Sequence, residues 1–517
     1  YDACGQLKHQ RLPDNSKLDH HYAKGGALTA IDLNGARLTS HVYQSGREQQ
    51  RQQGLLRSDY AYDDQGRLLA HAVGHQHDSL YRRDYAYSAN GNLEHIADTR
   101  HGQRTYAYDA LDQLIRVRHS RDELPESFAH DPAGNLLMQD RPGPTRIKGN
   151  RLLMQGDRHY DYDAFGNLIR ERRGRDQLLV TEYRYDCQHR LIGLTRPDGN
   201  TASYQYDAFG RRIRKTVDGQ STEFFWQGDH LVAESSPTHH RSYVYEPGTF
   251  RPLALLDGKG PKKACPFYYQ LDHLGTPQEL TDYSGEIVWS AQYDAYGKVS
   301  AITLAGEDYL DQPLRFQGQY FDAESGLHYN RHRYYDPRLG RYLTPDPIKL
   351  AGGLNQYRYV PNPTGWVDPL GLSSNCPPPN RPGCEVPAAS DEAKVEEANP
   401  TLPKPSSGPQ DFGSNEKLTG HFEKHGAEFK AMSKGEYLLV ARDVVNQGTR
   451  VEYLYKGEER SGYFLLMGNN RKGEAKFAFV GTNTNDEITT LHTKSGKEFW
   501  RTINGNAQDK TVRPAHD

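Results

Sequence analysis

The chain has 517 residues and a formal net charge of -3 at pH 7, so it is too long for one ordinary core and lacks the overall basic signature of a nucleic-acid-binding protein. Apolar residues make up only 35%, yet 35 tyrosines and 49 glycines exclude a disordered chain. No apolar run reaches transmembrane length, so we expect no membrane span. This composition predicts a mostly β protein with many short strands and glycine turns.

One short phrase recurs along the N-terminal part: two aromatic residues one apart, then Asp, a turn Gly and an apolar residue. Alternating aromatics place two rings on one strand face, Asp starts a turn by bonding its own backbone, and Gly supplies a positive φ. Each copy therefore predicts a β-hairpin that must stack on its neighbours. The spacing alone leaves a propeller or a solenoid open. The clearest copies are Tyr60–Asp63 with Gly66 and Leu68, Tyr160–Asp163 with Gly166 and Leu168, and Tyr204–Asp207 with Gly210.

This phrase resembles the repeat of the rearrangement-hotspot (Rhs) and tyrosine-aspartate (YD) repeat proteins, over roughly the first 310 residues. The resemblance implies that residues 1–314 form a large hollow β-shell that encloses a C-terminal polypeptide. Copies depart from the motif at His130, in place of the second aromatic, and at Gln188–His189, where the turn glycine belongs. We expect irregular turns there. Because the chain opens at Tyr1 inside a motif, we expect its natural N-terminus to be missing.

A dense series of motifs fills residues 315–372, including Gly326–Asn330, Arg333–Pro337, Thr344–Pro347 and Asp368–Leu372. The series is very similar to the Rhs core-associated segment. That resemblance implies that this segment, called the cleavage segment below, plugs the shell and cuts its own chain between Leu372 and Ser373.

Peptide hydrolysis needs an activated water and protonation of the leaving amine, and two close carboxyls can share these tasks. Asp346 and Asp368 are the candidates, and each precedes a proline. Arg333 matches the arginine position of the family motif and can bias a carboxylate or hold a carbonyl oxygen. Each Asp-Pro pair alone is typical of a turn, but the surrounding motifs favour an aspartyl-type autoprotease.

Residues 373–412 are rich in Pro, Ser, Glu and Ala and have too little apolar content for a core, which predicts a linker. Cys376 and Cys384 lie in this linker, either paired or free.

Residues 413–517 predict a small α+β domain. Apolar residues between Glu416 and Val445 fall near helical spacing, which predicts one or two helices. An antiparallel sheet is expected to follow. Its predicted strands are Val451–Tyr455, Gly462–Met467, Ala475–Val480, Ile488–His492 and Glu498–Ile503.

Two phrases in this domain, His421–Phe429 and Ile488–His492, together resemble compact metal-independent ribonucleases of the barnase, EndoU, colicin E5/D and RelE fold. The resemblance implies a toxin that cuts RNA and needs no metal or other cofactor.

RNA cleavage through the 2′-hydroxyl needs a base, an acid and a cation for the phosphorane. His421 and His425 share one helix face, and a histidine can act as either the base or the acid. Lys424 can supply charge, while Thr490 and His492 can bind phosphate from the facing strand. The alternative for each is an ordinary surface residue on a Lys- and Glu-rich helix.

Rival chemistries leave different signatures. His421-x-Glu423 imitates the start of a zinc deaminase motif, but no cysteine follows Cys384, so the partner ligands are missing. An ADP-ribosyltransferase needs a late glutamate, and Glu487 or Glu498 is available. A non-enzymatic binding or adhesion module displayed by the shell is the third alternative.

The Rhs resemblance implies a polymorphic interbacterial toxin that is delivered to act in the cytoplasm of a target cell. Its implied partners are its own C-terminal domain as cargo, a cognate immunity protein, and secretion-apparatus proteins that bind the missing N-terminal part. RNA is the expected substrate.

Overall fold

The computed structural model describes residues 1–372 apart from 76–77, 122–123, 140–142, 259–263, 306–309 and 311. It also describes residue 412 and residues 414–501 apart from 430–433, 448, 456–457, 470–474, 484–486 and 496–500. The chain forms two compact units, an N-terminal unit (Tyr1–Glu392) and a C-terminal unit (Ala393–Asp517). The predicted linker, including Ser373, Cys376 and Cys384, lies outside the described residues except for Phe412.

The described part of the N-terminal unit is built from antiparallel sheets in which each strand pairs with the next one along the chain. Two of them have 13 and 16 strands, which excludes the separate blades of a propeller and confirms the mostly β fold class. The 13-stranded sheet contains β1 (His9–Arg11), β2 (Lys17–Tyr22), β3 (Leu28–Leu33), β4 (Ala36–Gln44), β5 (Arg47–Gln53), β6 (Leu56–Tyr62), β7 (Leu68–Gly74), β8 (Ser79–Tyr87), β9 (Leu93–Asp98), β10 (Gly102–Tyr108), β11 (Leu114–His119), β12 (Glu126–His130) and β13 (Leu136–Met138).

The 16-stranded sheet follows along the chain, and a short 3-10 helix (Arg175–Gln177) lies between its fourth and fifth strands. Its strands are β14 (Thr145–Lys148), β15 (Arg151–Gln155), β16 (Arg158–Tyr162), β17 (Leu168–Arg173), β18 (Leu179–Tyr185), β19 (Leu191–Thr195), β20 (Thr201–Tyr206), β21 (Arg212–Val217), β22 (Gln220–Gln227), β23 (His230–Ser235), β24 (His240–Tyr245), β25 (Pro252–Gly258), β26 (Cys265–Leu271), β27 (Pro277–Thr281), β28 (Ile287–Tyr293) and β29 (Val299–Leu304).

The predicted repeat hairpin is confirmed at β6 and β7, where Tyr62 pairs with Leu68. Asp63 accepts a hydrogen bond on Oδ1 from the backbone N–H of Arg67, at 2.8 Å. The backbone N–H of Gly66 donates to the Asp63 carbonyl at 3.0 Å, and Gly66 has φ +87°. A glycine is favoured there because other residues rarely adopt this left-handed conformation.

The expectation of irregular turns at the motif departures is wrong. His189 has φ 62° and donates its backbone N–H to the Asp186 carbonyl at 3.0 Å, so it takes the place of the turn glycine. His130 pairs with Leu136 in a regular hairpin. The hydrogen bonds of each turn are retained because the Asp that begins it is present.

Neighbouring repeats are joined by the second tyrosine of the motif. The hydroxyl of Tyr206 donates to the carbonyl of Leu191 in the preceding repeat at 2.6 Å. Each such ring covers the sheet while its hydroxyl satisfies a carbonyl at a strand end. The same bond is made by Tyr87 to Leu68, Tyr108 to Leu93, Tyr185 to Leu168 and Tyr293 to Pro277.

The cleavage segment packs against the 16-stranded sheet. It contains a four-stranded sheet of β30 (Tyr320–Asp322), β31 (Leu327–Asn330), β32 (Arg333–Asp336) and β33 (Arg341–Tyr342), followed by a 3-10 helix (Lys349–Gly352). Arg212 on β21 is buried, forms an ion pair with Asp322 and donates to the Tyr334 hydroxyl at 2.9 Å. Burial of this arginine carries a desolvation cost that its paired charge offsets, so separating the segment from the sheet at Arg212 and Asp322 would leave a buried charge unpaired.

The C-terminal unit is α+β, as predicted. It contains α1 (Asn415–His425), a 3-10 helix (Gly426–Phe429), α2 (Lys434–Gln447), and an antiparallel sheet of β34 (Thr449–Tyr455), β35 (Glu458–Asn469), β36 (Ala475–Thr482) and β37 (Ile488–Ser495). The N-cap of α1 is Ser414, whose Oγ accepts from the N–H of Lys417 at 3.2 Å.

The core of this unit lies between α2 and the sheet, and its residues include Tyr437, Val480 and Leu491. The predicted strand Glu498–Ile503 lies outside the described residues except for Arg501, which is helical, so the prediction is wrong at that residue. Neither α1 nor α2, the helices of eight or more residues in the described ranges, has the length and apolar character needed to cross a membrane.

Candidate active sites

The first candidate site lies where β32 and β33 meet the end of the cleavage segment. Asp368 Oδ1 accepts from the backbone N–H groups of Gly371 at 2.9 Å and Leu372 at 3.1 Å, which closes a tight turn over 368–372. Gly371 has φ +71°, and a Cβ there would lie 2.7 Å from the carbonyl oxygen of Asn330. These turn hydrogen bonds therefore hold the end of the cleavage segment against β31.

Arg333 joins the groups that the sequence nominated. Its Nη2 donates to Asp346 Oδ2 at 2.7 Å and lies 3.7 Å from Asp368 Oδ2. Its Nε donates to the carbonyl of Gly371 at 2.5 Å, and its guanidinium lies 3.7 Å from the centre of the Tyr342 ring. The structure thus brings all three nominated side chains together beside Leu372.

The carboxyl of Asp346 also lies near the carbonyl of the predicted scissile bond. A Cβ on Gly352 would lie 2.7 Å from the carbonyl oxygen of Leu372 and closer still to Asp346 Oδ2. Both oxygens therefore border one small space, which glycine at position 352 leaves open. Ser373, on the other side of the predicted cut, lies outside the described residues.

The two carboxyls have different surroundings, although both are almost inaccessible to solvent (4% for Asp346 and 2% for Asp368). Burial raises the pKa of Asp346 and the charge of Asp368 adds to this, while Arg333 and the backbone N–H of Ile348, which donates to Asp346 Oδ1 at 3.0 Å, act in the opposite direction. Asp368 accepts from the Tyr342 hydroxyl at 2.8 Å and from two backbone N–H groups. Because burial outweighs the opposing groups, the pKa of Asp346 is raised, and this carboxyl is suited to hold a proton.

Sequence reasoning missed Asn330, Tyr342 and Gly352 as members of this site. Asn330 ends the Gly326–Asn330 motif and Tyr342 ends a second motif, Gly340–Tyr342; the family resemblance of these motifs is the one signal that pointed to them. Nothing in their spacing indicates contact with Asp368, because that contact depends on how the β31–β33 sheet meets the 368–372 turn.

The second candidate site is in the C-terminal unit, where three imidazoles converge; we call it the His cluster (His421, His425 and His492). The rings of His421 and His425 lie 6.0 Å apart on α1, and His492 on β37 lies 5.7 Å from His425. Thr490 Oγ1 is 2.8 Å from His492 Nδ1. Lys424 directly precedes His425 on α1 and is exposed. Its charge helps to lower the pKa of His421.

Glu428 was missed by sequence reasoning and ties the cluster together. Its Oε1 lies 2.6 Å from His425 Nδ1. Its Oε2 accepts from both the backbone N–H and the hydroxyl of Thr493, each at 2.8 Å. The carboxylate therefore connects the end of α1 to β37 and orients the His425 ring.

Burial and neighbouring charge set the proton affinities of the His cluster. Burial, then the charges of Lys494 and His425, lowers the pKa of His492 to about 4. Burial and His425 also lower the pKa of His421. Burial alone would raise the pKa of Glu428, but hydrogen bonds from His425 and Thr493 hold it below its usual value. At neutral pH the site therefore offers neutral imidazoles beside a histidine that faces a carboxylate.

The alternative chemistries require other residues, namely a late glutamate for an ADP-ribosyltransferase or a set of ligands for a metal ion. Glu487 lies in the turn before β37, where its Oε2 accepts from Asn483 Nδ2 at 2.8 Å, and Glu498 lies outside the described residues. Within the described ranges, no three His, Cys, Asp or Glu side chains are arranged to hold a metal ion.

Residues 16–363 match the model of the teneurin YD-shell family, so the chain belongs to that family. This confirms the predicted Rhs/YD-repeat membership. The match ends before Asp368 and does not include the C-terminal unit.

Curated relatives are similar over much of the chain. Double-stranded DNA deaminase toxin A of Burkholderia cenocepacia is 39% identical over 366 residues, covering 64% of this chain and 25% of that protein. Toxin protein Tse5 of Pseudomonas aeruginosa is 37% identical over 362 residues, covering 60% and 27%. The probable deoxyribonuclease RhsA of Dickeya dadantii is 34% identical over 377 residues, covering 69% and 26%. The chain thus spans about a quarter of the length of these relatives.

Solved structures share the fold. The crystal structure of TcdB2-TccC3-Cdc42 matches with a TM-score of 0.54 and 20% identity, covering 72% of this chain and 21% of that one.

Proposed function

We propose that this chain belongs to a polymorphic toxin whose YD-repeat unit carries a C-terminal toxin, and that the cleavage segment cuts the chain between Leu372 and Ser373. The observation that carries the cleavage is the position of Arg333, which bonds Asp346 at 2.7 Å and the Gly371 carbonyl at 2.5 Å and lies 3.7 Å from Asp368. Two carboxyls and a cation thus lie beside Leu372, which supports an acid, a base and a charge-stabilising group for the cut.

The geometry supports an aspartyl-type mechanism. Asp368 takes a proton from a water that adds to the Leu372 carbonyl carbon, while Asp346 gives its proton to the nearby carbonyl oxygen. The tetrahedral diol then breaks its bond to the Ser373 nitrogen, which receives the proton held by Asp368. A diol proton returns to Asp346, leaving a carboxyl group on Leu372 and an amine on Ser373.

This proposal is tested by making the full chain in a cell-free translation reaction and sequencing the N-terminus of the smaller product. We expect Ser373 at that N-terminus, and we expect no cleavage in Asp346→Asn or Asp368→Asn. The matched control is Asp131→Asn, which alters another Asp-Pro pair, in a repeat turn. Loss of cleavage in the control, or cleavage in both site variants, would contradict the assignment.

We also propose that the C-terminal unit is a metal-independent ribonuclease. The supporting observation is the His cluster, in which His492 has a lowered pKa of about 4 and His425 faces Glu428 at 2.6 Å. Neutral His492 is suited to take the proton of the 2′-hydroxyl, and His425, whose ring Glu428 orients, is suited to protonate the leaving oxygen. Thr490 and Lys424 complete the site as hydrogen-bond donor and cation.

The ribonuclease is tested in cells that make residues 373–517 from a tightly controlled promoter. Total RNA on a denaturing gel is expected to show discrete new fragments that a His421→Ala/His425→Ala variant does not produce. Lys417→Ala, an exposed change on the same helix, is the control and should leave the fragments unchanged. Growth arrest with intact RNA and consumption of NAD would favour the ADP-ribosyltransferase, and no arrest would favour a binding module.

Delivery and partners form the last part of the proposal. Relatives named as toxins and nucleases support a delivered effector. We propose that it acts in the cytoplasm of the target cell, with a cognate immunity protein in the producing cell and secretion-apparatus proteins as its carriers.

A further inference from the structure

Asn330 is the last residue of β31 and pairs with Arg333 across the β31–β32 hairpin. It is fully buried. Its Nδ2 donates to the hydroxyl oxygen of Tyr342 at 2.8 Å and to the backbone carbonyl of Asp368 at 2.9 Å. The side-chain amide of Asn330 has two hydrogens, and each is donated to one of these two acceptors.

The first of these bonds determines the direction of the next one. Burial, followed by the charge of Asp368, raises the pKa of Tyr342 well above its usual value, so the hydroxyl keeps its proton. Because the hydroxyl oxygen accepts from Asn330, its hydrogen is directed to Asp368 Oδ2, 2.8 Å away. The second bond holds the backbone of Asp368 itself.

We infer that Asn330 is a positioning residue for self-cleavage, since one amide group orients both the carboxylate of Asp368, through Tyr342, and the backbone of the turn that carries the cut. Nothing in the sequence motifs assigns this role. The inference rests on the proposed cleavage after Leu372.

Asn330→Asp is the sharpest variant because it keeps the shape of the side chain and makes its hydrogen bonding depend on pH. The ionised carboxylate has no hydrogen to donate and places a second negative charge beside Asp368. The protonated form supplies one hydrogen and no charge. The charged or titratable groups that face this region are Arg333, Tyr342, Asp346, Asp368 and Tyr359.

The experiment uses the full chain with Asn330→Asp, purified uncleaved at pH 8 and diluted into buffers from pH 8 to pH 5. We expect cleavage at pH 8 to be at least about tenfold slower than in the native chain, and the ratio of the variant rate to the native rate at the same pH to recover by about tenfold as the pH falls to 5. Asn330→Ala is expected to stay slow relative to the native chain at every pH. Asn330→Ser, which retains one donor, is expected to cleave at a rate between those of Ala and the native chain.

The matched control is Asn362→Asp, another buried amide, whose side chain contacts Asn92 and Thr364. It should cleave like the native chain at pH 8. Native-rate cleavage by Asn330→Asp at pH 8, equal losses in Asp and Ala at all pH values, or equal rates for Ser and Ala would each overturn the inference. If the native chain itself is not cut after Leu372, the proposed self-cleavage fails instead.

Discussion

Arg333 Nη2 lies 2.7 Å from Asp346 Oδ2, and the two side chains are only 1% and 3% exposed. The two side chains form an ion pair when Asp346 is ionised and remain hydrogen-bonded when it holds a proton; in both states little solvent can replace either partner, so removing the Asp346 carboxyl leaves the Arg333 charge without this acceptor. Changes at Asp346 therefore affect folding as well as chemistry, and changes that keep the charge of Arg333 isolate the role of its geometry.

The first prediction concerns Arg333→Lys. Lysine keeps the positive charge but loses the planar fork that reaches Asp346, Asp368 and the Gly371 carbonyl together. We expect cleavage to slow by roughly a hundredfold while the chain still folds. Pulse-labelled translation followed on a gel measures the rate. Arg57→Lys, at an exposed ion pair on β6, is the control and should not change it.

The second prediction is a pH dependence. Since burial raises the pKa of Asp346, the carboxyl keeps its proton at pH values where an exposed carboxyl is already ionised. It loses that proton as the pH rises through the raised pKa. Cleavage that uses this proton should therefore slow as the pH increases beyond that point. Initial rates of the full chain between pH 4 and pH 9 test this, and a rate that increases steadily with pH would contradict Asp346 as the acid.

The third prediction concerns the turn at His189. A left-handed conformation costs a residue other than glycine about 1 kcal/mol, and His189 has φ 62°. His189→Gly removes that strain but also removes the 2.9 Å contact to Asn167. We expect a net gain in stability of up to about 1 kcal/mol, measured by urea unfolding. Gly166→Ala should do the reverse, since its Cβ would lie 2.6 Å from the Tyr357 hydroxyl. Equal unfolding midpoints for the two variants would contradict this account.

How much of the fold could be predicted from the sequence depends on how far apart along the chain the interacting residues lie. The hairpins were predictable because Asp63 and Gly66 act within one turn. The Tyr206 bond to Leu191 was not, because it depends on the register between neighbouring hairpins.

The same division applies to the candidate sites. Asp346, Asp368 and Arg333 were found through the motifs around them, whereas Glu428 was not nominated because its partner Thr493 lies on a distant strand. Propensity and spacing carry no information about such contacts between elements.

The fourth prediction concerns Glu428→Gln. The carboxylate fixes the ring of His425 and accepts from Thr493 on β37, while an amide keeps the shape without the charge. We expect RNA cleavage to fall by roughly tenfold, because the His425 ring is then held less firmly for proton transfer. Rates on a short RNA measure the effect. Glu423→Gln, an exposed glutamate on the same helix, should leave the rate unchanged.

The last prediction follows from the lowered pKa of His492. Its pKa is about 4 in the folded unit and near 6.5 when unfolded, so the unfolded chain binds a proton first as the pH falls. Stability of the C-terminal unit should therefore be fully present above about pH 6.5 and decline as the pH falls towards 4. Burial is the main cause of the lowered pKa of His492, and the charge of Lys494 is the next.

Lys494→Ala should raise the pKa of His492, so that the decline in stability takes place over a narrower pH range. Thermal unfolding midpoints of the native unit and this variant, measured every half pH unit, test the sign, and a larger acid-induced loss of stability in the variant would contradict it.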